Sequence, residues 1–273
     1  MRSFLLNFLI FSSLVIVLQG CETLNKSDSD EYIDWDAKEF HDNAQSAMEH
    51  ENYQKAIKLY ETLETRYPFG EYAAQTQLNL AYAYYKNDDP DTAVAAADRF
   101  IKINPRHPNV DYAYYLKGLI NFNRSIGFLE RFLPTDSSQR NPSNVKEAYD
   151  NFDLLARRFP DSKYTADSIQ RMQALRNDLA MYEVHVARFY LKRRAYIAAA
   201  NRSGYVINEF PRTPAIPYAL QVMEKAYAKL DLDKLTTDTK RIYKINYPDG
   251  PPVVEHKDAS FVHWLWDSIG LDQ

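Results

Sequence analysis

The 273-residue sequence has little glycine, a single cysteine and no stretch that alternates apolar and polar residues as a β-strand does. Seven glycines argue against glycine-rich nucleotide folds, and no Walker loop, Gly-x-Ser-x-Gly elbow or His-Glu-x-x-His helix occurs. The six histidines are scattered, and His256 and His263 lack a third ligand at metal-binding spacing. We therefore expect no catalytic site, metal or cofactor, and predict that the protein acts by recognition.

The first 20 residues have the composition of a secretory signal peptide. Arg2 gives a positive start, and the mostly apolar run over 4–18 is shorter than the roughly 20 residues that a membrane-spanning helix needs. The run ends in LQGC at 18–21, which resembles a bacterial lipobox except at Gln19, where a small residue is usual. We predict that Cys21, the only cysteine, is the lipid attachment site. An ordinary signal peptide with a coincidental cysteine is the alternative.

Residues 21–36 are polar and acidic, and we predict that they form a flexible tether between lipid and fold. A partner-binding role is the alternative. Glu22, rather than aspartate, follows the cysteine, and by resemblance to Gram-negative lipoproteins this favours the outer membrane. Removing the leader, whose only charged side chain is Arg2, takes the formal net charge from −4 to −5. This acidic balance argues against nucleic-acid binding.

A spaced pattern recurs five times along the rest of the chain. Each copy starts with a small residue at position i. A second core residue follows at i+4, an apolar residue at i+7 and a proline at i+12. This periodicity and its proline stop are typical of tetratricopeptide repeats, and a generic helix bundle with chance prolines is the alternative. The five sets are Ala56, Tyr60, Leu63 and Pro68; Ala93, Ala97, Phe100 and Pro105; Ala148, Phe152, Leu155 and Pro160; Ala199, Ser203, Val206 and Pro211; Thr236, Lys240, Tyr243 and Pro248.

The pattern predicts an all-α fold, a tetratricopeptide-repeat solenoid of about five helical hairpins over residues 37–248. We expect an insertion at 124–144 and a long helix from about 162 to 194, capped by Asp161 or Ser162. A basic run closes that helix and suits the negative end of its dipole, or else binds an acidic partner. Residues 249–273 are predicted to be a linker and a short apolar helix, which caps the last repeat or binds a partner or membrane surface.

Three segments are distinctive: RYPFGEY at 66–72, QLNLAYAYYKN at 77–87 and DRFIKINPRHPNVDY at 98–112. With the lipobox cysteine, they make the chain resemble the BamD family, lipoproteins of the outer-membrane β-barrel assembly machinery. The resemblance covers roughly residues 40–245 and is most specific over 60–118. It does not extend to the tail beyond Pro248.

The resemblance implies a lipid-anchored protein on the periplasmic face of the outer membrane that binds the targeting strand of unfolded barrel proteins. Tyr67, Phe69 and Tyr72 would lie near the receiving pocket, or else pack between repeats. Arg202 would fall on the surface that docks on BamA, while BamC lies along the solenoid and BamE joins the complex. The alternatives are another exported repeat lipoprotein for pilus or cell-wall assembly, and an enzyme with a repeat appendage.

Overall fold

The structure is a computed structural model and describes residues 32–124, 138 and 142–252. This part of the chain contains ten α-helices and no β-strand, and consecutive helices pair into five hairpins. The all-α fold predicted from the repeat pattern is confirmed. The helices are α1 (Ala37–Glu49), α2 (Tyr53–Arg66), α3 (Ala73–Lys86), α4 (Pro90–Ile103), α5 (Val110–Arg124), α6 (Pro142–Arg158), α7 (Thr165–Lys192), α8 (Tyr196–Glu209), α9 (Ile216–Lys229) and α10 (Asp233–Asn246).

Side-chain caps fix where several helices begin. Asp36 and Glu39 form a reciprocal capping box at α1, and Asp89 accepts a hydrogen bond from Thr92 N before the proline that opens α4. The cap predicted for α7 is wrong. That helix begins after Tyr164 without a side-chain cap. Ser162 lies outside the helix in the preceding turn, where its Oγ accepts from Tyr164 N and donates to the Asp111 carboxylate, 2.6 Å away.

Prolines determine where the second helix of a hairpin ends. The residue before each proline leaves the helical region, as the proline ring requires of its predecessor. At four of these positions the φ angle lies between −119° and −135°, and the amide of the same residue still bonds the last turn. The four residues are Tyr67, Asn104, Phe210 and Tyr247.

The turn inside four of the hairpins has one residue with a positive φ. The next amide bonds back five residues in each case, which closes the turn. None of these residues is glycine, although a side chain at such angles costs roughly 1–2 kcal/mol. The residues and their φ angles are Glu51 (57°), Asp88 (63°), Arg194 (62°) and Asp231 (57°).

The predicted core positions are fully buried in the first four repeats, where none is more than 1% exposed. The fifth repeat departs from the pattern. Lys240 is exposed and Thr236 and Tyr243 are half-buried, because no described helix follows α10 to cover them. The outer face of α10 also leaves Leu235, Ile242 and Ile245 exposed. The predicted tail helix lies outside the described residues.

The insertion between the third pair of helices is shorter than predicted. Helix α5 continues through Arg124 and α6 already begins at Pro142, since proline is tolerated in the first helical turn. Ser138 is buried and its hydroxyl lies 2.9 Å from Nε2 of His185 on α7. The rest of the predicted insertion lies outside the described residues.

Helix α7 is 28 residues long, twice the length of α8 and α9. Its first half packs Leu175 against Phe152 of the third hairpin, and its second half packs Val184 against Val206 of the fourth. Between them, the Arg176 guanidinium donates to two carbonyl oxygens at the end of α8. Helix α7 therefore contributes to the cores of both the third and the fourth hairpins.

Gly118 in α5 offers a direct test of this packing. A methyl group at this position would lie 2.4 Å from the Phe152 ring, whereas one at Gly204 in α8 would meet only Met223 Cε at 3.7 Å. We expect Gly118→Ala to destabilise the protein by about 1–3 kcal/mol through overpacking. Gly204→Ala should stabilise it by about 0.5–1 kcal/mol, since alanine favours the helix. Thermal unfolding measures both, and equal shifts would contradict the packing.

Candidate functional site

The three residues predicted to bind peptides lie together in the turn between α2 and α3. Phe69 is 92% exposed, whereas Tyr67 and Tyr72 contact two consecutive residues of α1. The Tyr67 ring lies 6.5 Å from that of Phe40, and the Tyr72 ring lies 4.7 Å from that of His41. The two tyrosines therefore hold the turn against α1, and Phe69 projects from it.

A short turn ahead of α1, residues 32–35, covers part of this region, and we call it the N-terminal clasp. The Tyr32 and Trp35 rings lie 4.6 Å apart, and the Trp35 ring lies 5.2 Å from that of Phe40. Tyr32 is only 8% exposed and belongs to the first core cluster. The flexible tether predicted over 21–36 is thus wrong for residues 32–36, because these aromatic residues pack and Asp36 caps α1.

The clasp is held through its backbone as well as its rings. The Arg66 guanidinium donates to the Tyr32 carbonyl at 2.6 Å, and the Tyr67 hydroxyl donates to the Trp35 carbonyl at 3.0 Å. The same guanidinium lies 5.3 Å from the centre of the Phe40 ring, within range of a cation–π contact. Two adjacent residues at the end of α2 therefore bind main-chain oxygens of another segment.

A groove of about 240 Å³ lies between α1, the start of α2 and α3, and sequence reasoning missed it. Its wall combines carboxamides with aromatic rings, so it offers both hydrogen-bonding groups and apolar surface. No spacing motif marks it, since carboxamides and tyrosines also occur on ordinary helix surfaces. It is lined by Gln45, Met48, Glu49, Tyr53, Asn79 and Tyr82.

Tyr60 supports the groove from within the core. Its hydroxyl donates to Gln45 Oε1 at 3.3 Å and accepts from Asn79 Nδ2 at 3.0 Å. Gln75 Nε2 in turn donates to Asn79 Oδ1 at 2.7 Å. Burial raises the pKa of Tyr60 to about 12, so the hydroxyl stays neutral at physiological pH. The network fixes two carboxamides of the groove wall.

Arg202, the predicted partner-binding residue, lies on α8 in the fourth hairpin, away from the first-hairpin residues along the chain. Its guanidinium forms an ion pair with Glu183 on α7 at 2.8 Å and lies 5.9 Å from the centre of the Tyr205 ring. The Arg202 side chain remains 37% exposed. It therefore joins two helices of one hairpin and still presents charge to solvent.

The described residues provide neither a cluster of metal ligands nor a membrane-spanning helix. Among residues 32–124 and 142–252, no group of three or more acidic, histidine or cysteine side chains is placed to hold a metal ion. No helix in the described part of the chain is both long and apolar enough to span a membrane. Cys21, the predicted lipidation site, lies outside the described residues.

The chain is similar to known proteins over most of its length. A family described as YfiO, outer membrane lipoprotein, matches residues 33–242. The outer membrane protein assembly factor BamD of Neisseria meningitidis serogroup B is 44% identical over 89% of this chain and 92% of its own. BamD of Vibrio cholerae is 37% identical over 84% and 94%.

Solved structures with a similar trace include MamA, at 16% identity over 78% of this chain and 92% of its own, with a TM-score of 0.31. A Podosopora anserina kinesin light chain of nearly identical TPR-like repeats is 14% identical over 78% and 94%, with a TM-score of 0.34.

The fold defines a tetratricopeptide-repeat protein in which aromatic and carboxamide side chains line a groove between the first two hairpins. Within that class, the chain belongs to the BamD family of outer membrane lipoproteins.

The Tyr60 network predicts a stability effect that depends on pH. Tyr60→Phe removes both hydrogen bonds of the hydroxyl, and we expect a loss of about 1 kcal/mol at pH 7. The folded pKa of Tyr60 lies above its ordinary value of 10, so the stability contributed by the neutral phenol is complete below pH 10 and is lost as the pH rises towards 12. The Tyr60→Phe variant has no phenol to ionise, so its stability does not fall for this reason. Denaturant unfolding should show the two proteins converging over that range, and a constant difference would count against the buried phenol.

Proposed function

We propose that the protein is a lipid-anchored assembly factor for outer-membrane β-barrel proteins, facing the periplasm, and that it acts as a scaffold without catalysis. Its first two hairpins bind the targeting strand of unfolded barrel proteins, and its later hairpins dock on the periplasmic domain of BamA. BamC and BamE complete the assembly. Membership of the BamD family supports the general role, and the exposed Phe69 and the groove between α1, α2 and α3 support the binding of strands.

The exposed Phe69 is the observation that carries the proposal. A phenylalanine ring with 92% of its surface in water gains roughly 1.5–3 kcal/mol when it is fully buried against a partner. Tyr67 and Tyr72 hold the turn that presents it, so little conformational entropy is lost on binding. The terminal strand of a barrel protein is amphipathic and often ends in an aromatic residue, which supplies a matching surface.

The groove supplies the polar half of the same recognition. Gln45 and Asn79 carry carboxamides, which donate and accept hydrogen bonds and so match the alternating N–H and C=O groups of an extended strand. Met48 and Tyr82 provide apolar surface beside them. Recognition of the main chain tolerates many sequences, as a factor that serves many barrel proteins requires.

The first test uses Phe69→Ala in the mature protein with Cys21→Ser, so that no lipid is present. We expect its affinity for a fluorescent peptide of a barrel protein's terminal strand to fall about tenfold or more, measured by anisotropy. Its melting temperature should not change, because the ring makes little contact within the fold. Ile197→Ala, which removes a side chain that is 65% exposed on α8, is the matched control. Equal binding of the peptide to the Cys21→Ser parent, Phe69→Ala and Ile197→Ala would refute the role of Phe69. Absence of binding to all three proteins would refute strand recognition.

Docking on BamA is tested by exchanging the charges of an ion pair. Arg202→Glu alone should weaken co-purification with BamA but also places a carboxylate beside Glu183, which disturbs the hairpin. The double variant Arg202→Glu, Glu183→Arg restores the internal pair while reversing the exposed charge. We expect it to regain the wild-type melting temperature and still recover less BamA. Full recovery of BamA would limit Arg202 to an internal role.

The lipid anchor is tested by Cys21→Ser in cells. Loss of the only cysteine should release the protein from washed envelope membranes into the soluble periplasmic fraction. An ordinary signal peptide would instead leave the distribution of the protein unchanged by the substitution.

A further inference from the structure

The N-terminal clasp makes the contacts that a bound peptide would make. The side chains of Arg66 and Tyr67 donate to its backbone carbonyls and not to its side chains. Every residue has a main-chain carbonyl, so a side chain that donates to this group can bind a segment of any sequence. Both donors therefore form a site for a peptide backbone, at the edge of the turn that carries Phe69.

The rings of the clasp occupy an aromatic environment next to these donors. Trp35 packs on Phe40, which also lies under the Arg66 guanidinium, and Tyr32 packs on the same first core cluster. Lys58 lies 5.7 Å from the centre of the Tyr32 ring. The environment combines apolar surface with two cations, and it suits an aromatic ring from any chain.

The clasp is also a separable unit. It is one turn, closed by a hydrogen bond from Trp35 N to the Tyr32 carbonyl, and Ile33 at its tip is 68% exposed. Helix α1 starts after it with its own capping box at Asp36. Because the cap satisfies the first amides of α1 by itself, the clasp can leave without unwinding the helix.

We infer that the clasp is a displaceable occupant of the site that binds client strands. An incoming strand places aromatic side chains where Tyr32 and Trp35 lie and takes over the hydrogen bonds from Arg66 and Tyr67. Competition from the clasp then rejects strands that lack aromatic residues, since these gain too little to displace it. The inference rests on the proposed function and specifies its ligand as an extended peptide with aromatic side chains.

The affinity test replaces both rings in the Cys21→Ser mature protein. The double variant Tyr32→Ala, Trp35→Ala should bind a labelled terminal-strand peptide that lacks tryptophan about three- to tenfold more tightly than the parent protein. Ile33→Ala, which alters the exposed tip and leaves both rings in place, should bind it like the parent. Circular dichroism checks that the double variant keeps its helices.

Tryptophan fluorescence follows displacement in a protein whose clasp is intact. With Trp264→Phe and Trp266→Phe, Trp35 is the only tryptophan. Titration with the same peptide should shift its emission to longer wavelength and increase its quenching by acrylamide, as the ring moves into water. This readout does not depend on the stability of the double alanine variant.

The outcomes separate the two claims. Equal or weaker binding by the double alanine variant, or binding that leaves Trp35 emission unchanged, would overturn the clasp as a competitor while strand recognition stands. Absence of peptide binding by parent, double alanine variant and Ile33→Ala alike would overturn strand recognition itself. Tighter binding together with the emission shift supports both.

Discussion

Close contact between paired helices at small side chains is the constraint on which the rest of the structure depends. Ala56, Ala93, Ala148 and Ala199 are fully buried at equivalent places, and Gly118 leaves room for the Phe152 ring where two helices meet. Because the hairpins approach this closely, each buries the face that it cannot cover alone. Aromatic rings such as those of Phe40, Tyr60 and Phe152 fill the remaining space in the cores, and the edge between the first two hairpins carries the candidate binding site.

Polar contacts have a different part in this architecture. The Tyr60 network and the Arg202–Glu183 ion pair each join neighbouring helices and also reach an exposed surface. Such contacts contribute little net stability but determine how the surface side chains are oriented. Hydrogen bonds and ion pairs to neighbouring helices therefore fix the side chains of the groove wall and of the charged face of the fourth hairpin. Preorganisation of this kind favours recognition because fewer side chains must be ordered when a partner binds.

The sequence predicted the helices and most of the core because each signal acts locally: prolines stop helices, and small residues at helical spacing mark close contacts. It did not predict the turns at Glu51 and Asp88, since both positive φ angles occur without glycine. The clasp was missed because Tyr32 and Trp35 lie in an acidic stretch whose composition predicts a tether, while their partners lie on α1 and α2. The groove depends on the relative placement of three helices, which no single segment encodes.

The length of α7 has a mechanical consequence. At 1.5 Å per residue, its 28 residues make a rod of about 42 Å, whose first half packs in the third core and whose second half packs in the fourth. A rotation of the last two hairpins is therefore transmitted through α7 to the first three hairpins. Its stiffness thus sets the angle between the first hairpin and the Arg202 face, and a bend near Arg176 would change that angle.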